Sequence, residues 1–139
     1  MRLQKSSLIA LYAVLELASA PGRQMATAEI AEKYGISGHH LAKVMRTLVR
    51  AGLVQSVRGA GGGYRFAANA ARTTLFDVIV LFESLEPEID PSLAQAVHET
   101  PVGAALQAVS VETDELALAT FKSITLKSLL RYAPEVSAA

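Results

Sequence analysis

The 139-residue chain has no cysteine and no tryptophan. Without a thiol it can form no disulfide, no Cys-containing zinc site, no thiolate-held iron–sulfur cluster and no cysteine nucleophile. The expectation for cofactors is therefore none, and the missing thiols suit a reducing, cytoplasmic setting. Charge is sparse too. Only 19% of residues are charged against 51% hydrophobic, which excludes a disordered chain. No uncharged apolar run approaches the roughly 18 residues a bilayer span needs, so no membrane partner is expected. Gly-Lys-Ser/Thr does not occur, and no nucleophile–base set or carboxylate pair stands in a plausible context, so an enzyme is not expected.

Net charge is zero, but its distribution is uneven. Residues 1–72 hold ten Lys/Arg and three Asp/Glu, a net of +7, whereas residues 73–139 hold three and ten, a net of −7. One end is built to meet a polyanion and the other is not. Met1–Ala20 has the outline of a signal peptide, with Arg2 and Lys5, an apolar Leu8–Leu15 and Ala18-Ser19-Ala20. Glu16 interrupts it and Pro21 would follow the cut, so the stretch reads instead as an amphipathic helix over Ser6–Ser19. Leu8, Tyr12, Leu15 and Ser19 lie on one side of that helix, with Leu11, Val14 and Leu17 adjoining.

A second, short helix is expected from Thr27, whose hydroxyl would cap it, to Tyr34-Gly35. The pattern restarts at Ser37, an N-cap residue, and Leu41, Val44, Met45 and Leu48 follow at helical spacing until Ala51-Gly52. Two helices joined by a tight glycine turn form a helix-turn-helix. Leu53–Val57 then alternates as a strand, Arg58–Gly63 is a glycine-rich turn, and Tyr64–Phe66 returns, which makes a wing. Gly59-Ala60-Gly61 lacks the third glycine of a dinucleotide fingerprint, and no helix follows to receive a pyrophosphate. Thr74-x-x-Asp77 opens a further helix as a capping box with Leu75, Val78, Ile79 and Phe82 on its apolar face. Residues 86–100 read as an exposed acidic loop containing a surface His98. Pro101 begins a long helix to Phe121, and Thr125 starts a short last one.

Opposite the core face of the third helix stand His39, Lys43, Arg46 and Arg50, one basic stripe. A recognition helix presents its first residues to base edges and its later ones to phosphates. Ser37, His39, His40 and Lys43 are accordingly candidate base readers, and Arg46 and Arg50 candidate phosphate contacts. Arg58 at the wing can hold a phosphate or enter the minor groove. His39-His40 is not a metal pair, because adjacent helical side chains diverge by about 100° and no carboxylate completes a site.

The segments Ile36–Val44, Ala51-Gly52-Leu53-Val54 and Val57-Arg58-Gly59-Ala60-Gly61-Gly62-Gly63-Tyr64 resemble the Rrf2 family of winged-helix regulators, a likeness that runs to Ile124-Thr125-Leu126. The resemblance implies a mainly α fold with a small β wing: a winged helix-turn-helix DNA-binding region over 1–72 and a helical dimerisation and possible sensor region over 73–139. It implies a homodimer on a pseudo-palindromic operator in double-stranded DNA, acting as a repressor. The expected DNA contacts are Lys5, Ser6, Ser37, His39, His40, Lys43, Arg46, Arg58, Gly59, Gly61 and Gly62. The expected dimer contacts on the long helix are Val102, Leu106, Val109, Leu116 and Phe121. Iron–sulfur and nitric-oxide-sensing members carry three close cysteines before the long helix, and some an Asp at position 8; here Thr100-Pro101-Val102 and Leu8 stand instead. The signal is therefore expected to be cluster-free: a small ligand between the long helix and the winged domain, or a partner protein. The alternative reading is a winged-helix protein–protein interaction module that does not bind DNA.

Overall fold

The computed structural model describes residues 1–59 and 62–138, so the expected Gly61 contact at the hairpin tip lies outside the described residues. Among these are seven helices and one antiparallel hairpin, in the order α1 (Lys5–Ala18), α2 (Thr27–Tyr34), α3 (Gly38–Arg50), β1 (Val54–Val57), β2 (Gly63–Phe66), α4 (Leu75–Ile79), α5 (Ala94–Glu99), α6 (Pro101–Ser123) and α7 (Leu126–Ala138). The chain is mostly helical with a two-stranded sheet, as the sequence implied.

One core joins both charge halves. Val14, Leu17, Ile30, Leu41, Val44, Met45 and Leu48 from α1–α3 pack with Leu75, Val78, Ile79 and Leu126. The halves are also stitched by a backbone hydrogen bond from Lys127 N–H to the Ala70 carbonyl at 3.0 Å. The α2–α3 turn is where the sequence puts it: Gly35 takes a left-handed φ of 63°, and Ser37 Oγ accepts from His40 N–H at 3.4 Å. The Thr74/Asp77 capping box is reciprocal, at 2.8 and 3.2 Å.

Four expectations are corrected. Thr27 is the first helical residue of α2 rather than its cap; the cap position is Ala26, whose N–H donates to Glu29 Oε1 at 3.3 Å. Leu8 and Tyr12 are exposed, because α1 buries the face carrying Ser7, Ala10, Ala13, Val14 and Leu17. His98 sits on α5, not in a loop. The last helix runs to 13 residues. Apart from these, Phe121, one of the expected dimer contacts, is half-buried and also packs against the core of its own subunit.

The wing is docked both at its base and beside Met25. Val54 pairs with Phe66 and Gln55 with Arg65, and Val54 and Phe66 are buried. Tyr64 and Met25 exchange backbone hydrogen bonds at 2.8 and 2.9 Å, adding a one-residue third strand. A Cβ on Gly63 would lie 2.1 Å from the Met25 carbonyl oxygen, so only glycine permits this approach.

Candidate nucleic-acid interface

Helix α3 buries Leu41, Val44, Met45 and Leu48 to 2% exposure or less. That packing fixes its rotation and turns His39, Lys43, Arg46 and Arg50 outward, all four exposed. Among the described residues the ion pairs are Arg23 to Glu29 at 3.7 Å, Lys33 to Glu16 at 2.7 Å and the Met1 amino group to Asp114 at 3.4 Å. None of these engages the stripe. Its cations carry unneutralised charge into solvent, the condition for replacing counterions on a phosphate backbone.

The structure separates residues that the sequence grouped. Ser37 and His39 are exposed at the start of α3. His40 is half-buried, and its Nε2 shares a 3.1 Å hydrogen bond with Ser6 Oγ on α1. Lys5, one residue earlier, is exposed. At the wing, Arg58 and Gly59 are exposed and Gly62 is half-buried, its N–H closing the turn onto the Gly59 carbonyl at 2.8 Å. A Cβ on Gly62 would meet Val57 O at 2.6 Å, so its small size already has a reason inside the turn. Sequence reasoning missed Arg65, which is exposed on β2 and held by Gln55 Oε1 at 3.0 and 3.1 Å. The alternation of β1 and β2 was the signal for it: Gln55 and Arg65 fall together on the outer face, opposite Val54 and Phe66.

None of the 23 residues of α6 is fully buried. Val102, Leu106, Val109 and Leu116 are 71, 67, 61 and 63% exposed. At the α5–α6 corner Thr100 Oγ1 accepts from Gly103 N–H at 3.0 Å and donates to the Ala96 carbonyl at 2.6 Å. No helix among the described residues is long and apolar enough to cross a membrane.

A helix-turn-helix followed by a docked hairpin, with a bare cationic stripe on its second helix, defines a winged-helix regulator. Residues 3–132 match the Rrf2 family, described as iron-dependent transcriptional regulators. The chain belongs to that family. It is 50% identical over 131 residues to a protein of Rhodopseudomonas palustris named as the HTH-type transcriptional regulator BadM, covering 94% of this chain and 82% of that one. Among solved structures it resembles Staphylococcus aureus CymR (TM-score 0.77, 28% identity, 93% of this chain and 98% of that one). It also resembles T. potens IscR (TM-score 0.68, 29% identity, 100% and 93%). These relatives are transcriptional regulators, and this chain is one rather than an enzyme.

The family description names iron, and the residues present do not fit it. There is no thiolate to hold a cluster. Among the described residues, no three His, Asp or Glu side chains are grouped closely enough to hold a metal ion. Thr100, at the mouth of the long helix, spends its hydroxyl on the corner itself.

Proposed function

We propose that the protein is a cytoplasmic, sequence-specific repressor that binds double-stranded DNA as a homodimer on a pseudo-palindromic operator. The observation that carries the reading is the unpaired basic stripe on α3, held outward by a fully buried opposite face, together with an exposed Arg58 on the wing. Ser37, His39 and Lys43 would meet base edges in the major groove. Arg46, Arg50, Lys5 and Arg58 would meet phosphates, with Arg65 beside them on the wing. The backbone of Gly59 and Gly62 would lie along the sugar–phosphate wall. Pairing through Val102, Leu106, Val109 and Leu116 would set two half-sites about one helical turn apart, or a multiple of it. The acidic half stays away from DNA. Regulation proceeds without an iron–sulfur cluster, through a small effector or a partner protein, because the thiolates a cluster needs are missing.

The test is selection of bound duplexes from a random-sequence pool by the wild-type chain, followed by Lys43→Ala. The reading predicts a palindromic consensus. It also predicts that Lys43→Ala binds about 1–3 kcal/mol more weakly and loses preference at one position of each half-site. A pool that yields no consensus, or a Lys43→Ala protein with the wild-type preference and affinity, contradicts it.

A further inference from the structure

We propose that Glu83, in the acidic half of the chain, is a positioning residue for the recognition helix, acting through two adjacent serines of α1; the inference rests on the DNA-binding reading above. Helix α1 begins without a cap of its own. The Gln4 side chain makes no capping bond, and the first turn holds no acidic residue. A helix start without acceptors leaves its N–H groups unpaired and its positive dipole end uncompensated. Glu83, 79 residues further on, supplies both needs: its Oε2 accepts from Gln4 N–H at 3.0 Å and from the hydroxyl of Ser7. Ser7 is completely buried, so that hydroxyl has no water to fall back on.

Glu83 itself is anchored. Its N–H donates to the Ile79 carbonyl at 3.0 Å, in the turn that ends α4, and Ile79 and Val78 are completely buried. From α4 the backbone links of residues 73–75 run to residues 124–126, where α6 passes into α7. On the other side of Ser7 stands Ser6, whose hydroxyl meets His40 Nε2 on the first turn of α3. Neighbouring residues of one helical turn thus face two ways, Ser7 toward the acidic half and Ser6 toward the recognition helix. A carboxylate that fixes this turn fixes the surface on which His40 rests. His40 thereby holds α3 in place rather than reading a base, which separates it from its exposed neighbour His39.

The experiment uses the full-length protein and a duplex of about 30 bp carrying the consensus that the wild-type chain selects from a random pool. Glu83→Ala is expected to weaken binding about 2- to 30-fold and to leave the salt dependence unchanged, since no phosphate contact is lost. Glu83→Gln keeps an oxygen acceptor without the charge and should fall between the two, serving also if Glu83→Ala does not fold. His40→Ala should weaken binding similarly, and the Glu83→Ala/His40→Ala double variant should be no worse than either alone. His40→Gln, whose amide can still meet Ser6, should recover affinity and select the wild-type consensus. The inference is overturned if both Glu83 variants fold and bind as tightly as wild type, if the Glu83 and His40 effects add, or if His40→Gln changes preference at a base pair. A wild-type chain that selects no sequence overturns the DNA-binding reading and this inference with it. A wild-type consensus alongside normal Glu83 variants overturns this inference alone.

Discussion

Lys33 and Lys43 are the same residue type on consecutive helices, yet they are put to different uses. Lys33 Nζ lies 2.7 Å from Glu16 and 5.7 Å from the centre of the Tyr34 ring, which stacks on Tyr12 at 5.0 Å. Lys43 has no such partner and points to solvent. The first charge clamps α2 to α1; the second remains available. Burial pushes the Glu16 carboxyl upward, but hydrogen bonds from Lys33 and Tyr34 outweigh it and hold the group below its ordinary 4.5. Burial and the bond to Glu16 push the Tyr34 phenol up to about 12. Two pH limbs follow. The Glu16 contribution is complete above the unfolded carboxylate value and is lost as pH falls through the lower folded one. The Tyr34 contribution is complete below pH 10 and is lost as pH rises toward about 12. Urea denaturation across pH should show Glu16→Gln flattening the acid limb and Tyr34→Phe flattening the alkaline one. Because Lys33 is more than half exposed, the acid effect should be modest.

At the scale of elements, legibility in the sequence tracked how strongly periodicity singled out one face. In α3 four large apolar residues share a face with cations opposite, and every expected core position is buried. In α1 the run from Leu8 to Leu15 is apolar nearly all round, so spacing alone did not choose a face. Packing chose the small residues Ser7, Ala10 and Ala13, exposing Leu8 and Tyr12. Helix α5 has six residues and no buried one, leaving no pattern to find. The partners of His40 and Glu83 were equally illegible, since contacts 34 and 79 residues apart depend on the tertiary fold. Two glycines separate local geometry from conformational freedom. Gly63→Ala drives a Cβ into the Met25 carbonyl and should cost about 1–3 kcal/mol of stability, loosening the hairpin where it meets Met25. Gly38→Ala meets nothing within 4 Å at the start of α3 and should stabilise by about 0.4–1 kcal/mol. Comparable denaturation midpoints for the two variants would contradict the docking of the hairpin on Met25.

Across the whole molecule, opposite charges are divided between the two halves of the sequence although one hydrophobic core unites them. Helix α6 uses its half-buried Val111, Leu118 and Phe121 against its own subunit and leaves Val102, Leu106, Val109 and Leu116 outside. Those four exposed apolar residues are the contacts proposed above for a second copy. Leu106→Glu is expected to shift sedimentation from dimer to monomer while changing the stability of the isolated subunit by no more than about 0.5 kcal/mol. It should also weaken operator binding, because two half-sites would no longer be held together. A Leu106→Glu protein that sediments as wild type would move the interface elsewhere. The charge separation itself is tested most directly by titrating salt against the affinity of the wild-type chain for its selected duplex. The logarithm of the binding constant should fall linearly with the logarithm of salt concentration, and Arg58→Ala should make that slope shallower by about one. A flat line for the wild-type chain would contradict the account and leave a winged helix that docks on protein instead.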